Sequence, residues 1–195
     1  MVDHPKRKSP ATYADLQALP PHLVGEILAG ELIAAPRPTP AHAQAASVLG
    51  MLVGPPFHFG KGGPGGWRIL DEPGLHLGSD ILVPDLAGWR MERMTRMPES
   101  PFFDLAPDWV CEVLSPKTER LDRGEKLAIY LRETVPNVWL LNPASQTLEV
   151  LRLTSSGYLL LAVHTAPGAV RAEPFDAIEL DLGLLFSSPA DNLYE

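Results

Sequence analysis

The chain has 195 residues, of which 45% are hydrophobic, and this is enough apolar material for the core of one domain. Its net charge of −8 argues against a nucleic-acid-binding surface without excluding one, and its single cysteine excludes an internal disulfide framework and a cysteine-based zinc site. No stretch has the length of a membrane span and the basic start lacks an apolar signal region, so we expect a soluble, cytoplasmic protein with no membrane contact.

Turn and capping signals divide the chain into short elements. Residues 1–10 are predicted to form a flexible tail, and residues 11–195 a single domain. Ala29-Gly30 marks the tight turn of a β-hairpin, and Thr39-Pro40 supplies a hydroxyl cap and a proline in the first helical turn. The predicted elements are a helix over 11–19, a hairpin over 23–34, a helix over 41–53, a mobile loop over 54–66, strands over 67–70, 74–77, 81–89 and 109–114, a helix over 119–133, strands over 137–141, 148–153 and 158–161, and a strand or short helix over 177–185.

The helix predicted over residues 119–133 lies between two apolar strands. Such a crossover implies that the strands on either side pair in parallel. The expected fold class is therefore mixed α/β (α+β), in which helices flank a mixed β-sheet.

A carboxylate lies in the middle of the most apolar of these strands. Glu112 interrupts the run Trp109–Leu114, and burying an ionised carboxylate costs several kcal/mol unless a cation or donor pairs with it. A second carboxylate, Asp85, closes the apolar run that begins at Ile81, where Pro84 is expected to distort the strand. Two acids on neighbouring strands indicate a divalent-metal site. We expect burial and mutual repulsion to raise the pKa of at least one of them.

The alternation of side chains along a strand separates Glu112 from the single cysteine. Val110, Glu112 and Leu114 share one face of the predicted strand, and Cys111 points to the opposite face. Cys111 is therefore interpreted as a buried thiol that packs as a small hydrophobe rather than as a catalytic partner.

Two lysines are candidates for the cation of the site. In the predicted helix, Lys126 lies on one stripe with Asp122 and Tyr130, at the edge of the buried face, and Tyr130 is a candidate additional site residue. A simple surface pair between Asp122 and Lys126 is the structural alternative. Lys117, in the loop after the Glu112 strand, is the second candidate.

Two carboxylates and a lysine suit the hydrolysis of phosphodiesters. Asp85 and Glu112 would bind Mg²⁺, for which Mn²⁺ is the expected substitute. The ion would activate water and stabilise the charge on phosphorus, and Lys126 would position or activate the water or neutralise the developing charge. The six scattered histidines show no zinc spacing, and no nucleophile-elbow motif is present.

The motifs around these residues resemble those of a known family. The segments 83–85, 112–118, 122–131 and 135–143 are similar to those of the Uma2 family of restriction-endonuclease-like proteins, also called DUF820, in the PD-(D/E)xK nuclease superfamily. The hairpin around residues 25–32 and His42 also fit, and the resemblance runs from about Tyr13 to Leu153.

The resemblance implies a restriction-endonuclease-like core and metal-dependent cleavage of DNA. It assigns metal binding to Asp85 and Glu112, and Glu26 matches an early acid that would complete the metal shell. The superfamily's lysine usually follows two residues after the second acid, where this chain has Leu114. The resemblance instead assigns the lysine to the following helix, at Lys126.

Alternatives to this endonuclease hypothesis remain open. The position of Leu114 and the acidic charge are also compatible with a nuclease-fold module that has lost turnover and binds nucleic acid or a protein partner. RNA and branched DNA are alternative substrates. The apolar hairpin over residues 148–161 is a candidate homodimer interface.

Overall fold

The computed structural model describes residues 9–186. Most of the predicted tail (residues 1–8) and the last nine residues of the predicted single domain (187–195) lie outside the described residues. The elements are α1 (Tyr13–Gln17), β1 (Leu23–Leu28), β2 (Glu31–Pro36), α2 (Pro40–Val53), β3 (Trp67–Asp71), β4 (Leu75–Leu77), β5 (Asp80–Leu82), β6 (Leu86–Arg90), β7 (Trp109–Val113), α3 (Glu119–Leu121), α4 (Leu127–Arg132), β8 (Asn137–Asn142), β9 (Thr147–Thr154), β10 (Gly157–Thr165), β11 (Ala169–Val170), β12 (Leu180–Asp181) and α5 (Leu182–Phe186).

The strands form two main sheets. Six strands follow the order β10–β9–β8–β7–β6–β3, in which β7 and β8 are parallel and the other neighbours are antiparallel. Four antiparallel strands follow the order β2–β1–β5–β4, and β11 pairs with β12. The predicted parallel pair on either side of the crossover helix is confirmed, as is the mixed α+β class. No helix among residues 9–186 is long and apolar enough to cross a membrane.

The single strand predicted over residues 81–89 is wrong. β5 belongs to the four-stranded sheet and β6 to the six-stranded sheet, and the chain passes between them through Val83-Pro84-Asp85. Pro84 has no amide hydrogen for a ladder, and the amide of Val83 donates to Glu26 Oε1 at 2.8 Å. The distortion expected at Pro84 is therefore a complete transfer of the chain from one sheet to the other.

The predicted crossover helix contains a local change of winding. α3 and α4 are joined by a π-helical turn over Asp122–Lys126. In a regular α-helix, residues eight apart drift by about 80° around the axis, because each turn takes 3.6 residues. A wider π turn reduces this drift, so Asp122, Lys126 and Tyr130 all remain buried on the side that faces the sheet.

The two faces of β7 pack into different cores, as the predicted alternation requires. Trp109, Cys111 and Val113 pack on the side of α2 and α5, and Val110 and Leu114 pack on the opposite side with α4 and the smaller sheet. Cys111 is fully buried, which agrees with its interpretation as a packing residue.

One aromatic ring organises the core on the α2 side. Phe175 lies between β11 and β12, and its ring centroid is 4.6–5.5 Å from those of Phe57, Trp67, Trp109 and Trp139. Tilted and edge-to-face contacts at these distances are favourable for aromatic pairs. This core packs against the face of the sheet opposite to the one that carries Glu112.

Three predicted segments differ in detail from the structure. The first part of the predicted loop over residues 54–66 continues α2 as a π-helical turn, Gly54–His58. The segment 177–185, predicted as a strand or a short helix, contains one of each, because β12 leads directly into α5. The short strand β11 was not predicted. The hairpin β9–β10 is longer than predicted, and its outer strand leaves Leu159, Leu160 and Val163 about half exposed.

Candidate active site

A cavity of about 730 Å³ opens where the two sheets meet. The hairpin β1–β2, the first turn of α2, the segment before β6, the end of β7 and the start of the crossover helix form its walls. The charged and polar side chains that line it are Glu26, Arg37, Thr39, His42, Glu72, Asp85, Glu112, Ser115, Lys117, Thr118, Asp122 and Lys126.

Glu112 lies on the floor of this cavity, 2% exposed, on the central strand β7. Its carboxylate accepts hydrogen bonds from Lys126 Nζ at 2.8 Å and from the hydroxyl of Tyr130 at 2.5 Å. Burial raises the pKa of Glu112 well above its ordinary value; Lys126 opposes this rise, and Asp122, Asp85 and Glu26 add to it. Lys126 is therefore the cation that the buried carboxylate of Glu112 was expected to require.

Lys126 is the centre of a group of acids. Its ammonium lies 2.8 Å from Glu112, 3.1 Å from Glu26 and 3.8 Å from Asp122. Burial lowers the pKa of Lys126, but the three carboxylates outweigh burial and raise the pKa above the ordinary lysine value. The contact with Lys126 partly offsets the effect of burial on Asp122, but the pKa of Asp122 is still raised above its ordinary value. The neighbouring carboxylates therefore favour the ammonium form of Lys126.

Asp85 is held at the edge of the same site by a backbone hydrogen bond. Its Oδ2 accepts from the amide of Val113 at 2.7 Å, which ties the chain before β6 to the end of β7. Burial raises the pKa of Asp85 to about 7, although the Val113 amide and Lys126 oppose the rise. The expected rise in pKa of at least one acid of the pair is confirmed for both Asp85 and Glu112.

His42 faces the other oxygen of Asp85. Thr39 caps α2 and accepts a hydrogen bond from the His42 amide at 3.4 Å, which places His42 in the first helical turn. His42 Nε2 lies 2.8 Å from Asp85 Oδ1, but the two atoms do not meet in hydrogen-bonding geometry, so this buried nitrogen has no hydrogen-bond partner among the described residues. Burial lowers the pKa of His42, which favours the neutral imidazole.

The other candidates occupy distinct positions. Glu26 accepts from the amide of Val83 and contacts Lys126, so it belongs to the acid group. Lys117 is exposed at the cavity rim, as is Arg37. The structure thus places Lys126 beside Glu112 and leaves Lys117 at the mouth. Tyr130 lies behind Glu112 as a hydrogen-bond donor.

The donor set suits a hard divalent cation. Mg²⁺ favours oxygen ligands and commonly binds through one or two carboxylates and several waters, and Asp85 and Glu112 supply those carboxylates. Within residues 9–186, no three His, Cys, Asp or Glu side chains are arranged as a ready-made metal site. An ion held by Asp85 and Glu112 would therefore need further ligands, such as water, and Lys126 offsets one unit of the negative charge of Glu112, Glu26 and Asp122.

Two residues of the site were underestimated from sequence. Asp122 was considered only as a surface partner of Lys126, whereas its side chain is 5% exposed inside the acid group. His42 was noted only through the family resemblance, because it lies far from Asp85 in the chain. The stripe of Asp122, Lys126 and Tyr130 at intervals of four was the available signal for Asp122.

Comparisons with known proteins agree with this architecture. A family model described as "Uma2: Putative restriction endonuclease" matches residues 10–183. A crystal structure described as "a putative nuclease belonging to DUF820 from Anabaena variabilis ATCC 29413" superimposes with a TM-score of 0.68 at 24% identity, over 91% of this chain and 98% of that one. No curated protein matches the chain. The structural likeness establishes the nuclease-type fold.

Proposed function

Because the chain belongs to the Uma2 family, we propose that it is a Mg²⁺-dependent endonuclease that hydrolyses DNA phosphodiester bonds. One observation carries the proposal: Glu112, buried on the central strand, accepts a hydrogen bond from Lys126 beside Asp85, on the floor of an open cavity. Burying an ion pair of this kind carries a desolvation cost, and its position on the floor of a cavity is typical of a functional site.

In this mechanism Asp85 and Glu112 hold the divalent ion. When bound, the ion lowers the pKa of water and stabilises negative charge on the phosphoryl group. The amide of Val113 fixes one oxygen of Asp85, and the hydroxyl of Tyr130 fixes Glu112, so the two carboxylates are oriented before substrate arrives.

Lys126 contributes electrostatically. Three neighbouring carboxylates raise its pKa and so favour the ammonium form, which suits a role as a positive charge better than a role as a general base. Its positive charge is available to stabilise the charge that develops on phosphorus. The exposed Arg37 and Lys117 at the rim supply cations for flanking phosphates.

The test is nicking of supercoiled plasmid by the wild type and by Glu112→Gln, with Mg²⁺, with Mn²⁺ and with EDTA. We expect metal-dependent nicking by the wild type and a loss of at least about a hundredfold in the variant. Glu173→Gln is the matched control, because Glu173 also pairs with a cation, Arg152, but does not line the cavity. Equal cleavage by wild type and Glu112→Gln would reject this site.

A binding module without turnover is the second candidate. It is favoured by the five acids among the cavity residues, against three lysine and arginine side chains, and by the position of Lys126 within the acid group. Fluorescence anisotropy with labelled duplex, single-stranded and branched DNA and with RNA, in Ca²⁺ and in EDTA, distinguishes the candidates. Metal-independent binding without any cleavage would support the module.

We also propose a homodimer through β10. This outer strand exposes Leu159, Leu160 and Val163, and an edge strand with apolar side chains is a template for pairing with another chain. Solution scattering over a concentration series tests this. A monomer at high concentration would rule the dimer out.

A further inference from the structure

Two buried polar side-chain atoms of the described residues lack a hydrogen-bond partner, His42 Nε2 and Trp109 Nε1, and of these two only His42 lines the cavity. His42 Nε2 is buried and approaches Asp85 Oδ1 to 2.8 Å without the alignment of a hydrogen bond. A buried polar nitrogen left without a partner is unfavourable. The Thr39 cap of α2 holds the backbone of His42 in the first helical turn, where the side chain can reach the segment before β6.

The charge distribution divides the site into two parts. Lys126 lies within 4.0 Å of Glu112, Glu26 and Asp122. In the described part of the chain, the basic group within the same distance of Asp85 is His42 alone. Lys126 therefore offsets part of the negative charge on the Glu112 side of the cavity, whereas no lysine or arginine of the described residues lies within 4.0 Å of Asp85.

The two facing atoms are both free to bind a cation. Asp85 Oδ2 is committed to the Val113 amide, which turns Oδ1 toward the imidazole. A nitrogen and an oxygen that converge in this way form one edge of a coordination shell.

We propose that His42 is a ligand, through Nε2, of the divalent ion held by Asp85, and that this nitrogen makes the site prefer Mn²⁺ to Mg²⁺. The inference rests on the proposed dependence of the enzyme on a divalent ion, and it concerns which ion binds more tightly rather than which ion supports cleavage. Mg²⁺ selects oxygen ligands and dehydrates reluctantly, whereas imidazole is a good ligand for first-row transition metals.

A purely structural contact between His42 and Asp85 makes a different prediction. A histidine that only orients Asp85 would affect the binding of both ions alike when it is removed. A histidine that coordinates the ion affects Mn²⁺ far more than Mg²⁺. The ratio of the two affinities therefore distinguishes a ligand from a positioning residue.

The experiment measures metal binding by the full chain without DNA. Isothermal titration with Mn²⁺ and with Mg²⁺ is carried out on the wild type, on His42→Ala and on His22→Ala, whose histidine is exposed and outside the cavity. We expect the wild type to bind Mn²⁺ at least about tenfold more tightly than Mg²⁺, and His42→Ala to lose about 10–100-fold in Mn²⁺ affinity but less than about threefold in Mg²⁺ affinity. His22→Ala should match the wild type.

Pulsed electron paramagnetic resonance of bound Mn²⁺ supplies a readout that does not depend on affinity. Nitrogen coupling from an imidazole is expected in the wild type and His22→Ala and should be absent in His42→Ala, with circular dichroism confirming that each variant is folded. Tight Mn²⁺ binding without nitrogen coupling, unchanged in His42→Ala and lost in Asp85→Asn, would overturn the role of His42 while leaving the metal site intact. No binding of either ion by the wild type would overturn both proposals.

Discussion

The two faces of β7 show two different ways of filling a protein interior. On one face, Trp109 and its neighbours close around Phe175 in an aromatic core that is made of rings and aliphatic side chains. On the other, Glu112 is equally buried but lies against Lys126 and Tyr130. One strand thus separates two regions of the interior. The first is stabilised by packing, and the second depends on the pairing of Glu112 with Lys126.

The largest difference between the two faces of β7 should appear in the pH dependence of stability when the positive charge of Lys126 is removed. Lys126→Met leaves the buried Glu112 and Asp122 and the partly buried Glu26 without a cation, so we expect a loss of about 3–5 kcal/mol in the free energy of unfolding at pH 8. The loss should shrink at pH 5.5, because protonation removes the uncompensated charges. Cleavage should fall by about 10²–10³-fold.

Lys117→Met is the matched control in urea unfolding and plasmid nicking. Lys117 is exposed at the rim, so its removal should change stability by less than about 0.5 kcal/mol. A greater loss of activity in Lys117→Met than in Lys126→Met would transfer the catalytic role to Lys117.

On the aromatic face, a loss of similar size should be independent of pH. Phe175→Ala removes a fully buried ring that contacts four others, and we expect a loss of about 3–5 kcal/mol at pH 5.5 and at pH 8 alike. Urea unfolding at both pH values measures this. Phe59→Ala, at an exposed ring, should have little effect. A strong pH dependence in Phe175→Ala would show that the two faces are coupled.

The wild type itself should lose stability as the pH rises. The folded-state pKa of Asp85 is raised to about 7, so the folded chain holds this proton more tightly than the unfolded chain. The resulting stabilisation is complete below the unfolded pKa of about 4 and is lost as the pH rises through about 7. Unfolding in EDTA from pH 4.5 to 8 should show this decline. It should be weaker in Asp85→Asn and unchanged in Asp176→Asn, and a wild-type slope of opposite sign would contradict it.

The smallest effect compares two tyrosine hydroxyls. Tyr130→Phe removes a donor to the carboxylate of Glu112, and Tyr158→Phe removes a donor to the backbone oxygen of Val135. Hydrogen bonds to charged groups are worth more, so we expect losses of about 1.5–3 kcal/mol and about 0.5–1.5 kcal/mol respectively. Thermal and urea unfolding measure both. Equal losses would indicate that Glu112 is held chiefly by Lys126.

The parts of this structure that depend on local pattern were predictable from sequence. The alternation along β7 put Glu112 and Cys111 on opposite faces, the Thr39-Pro40 signal located the start of α2, and intervals of four residues placed Lys126 and Tyr130 on one stripe. Each of these depends on the geometry of a single element.

The parts that depend on long-range packing were not predictable. The transfer of the chain at Val83-Pro84-Asp85 depends on a hydrogen bond from Val83 to Glu26, 57 residues away. Likewise, the approach of His42 to Asp85 depends on how α2 packs against the sheet. A single sequence carries no signal for such pairs, and the assignment of chemical roles to the site residues stays a prediction.

The passage of the chain between the sheets at Asp85 has a consequence for how this protein can diverge. Glu26 binds the backbone on one side of Pro84, and Asp85 binds the backbone of Val113 on the other, so the residues that would perform chemistry also join the two sheets. A mutation that abolished catalysis by replacing Glu26 or Asp85 would also remove a hydrogen bond that joins the two sheets. Descendants that abandon catalysis are therefore expected to retain much of the acid set, and its presence in a relative is a weaker sign of activity than it would be in a site that stands apart from the architecture.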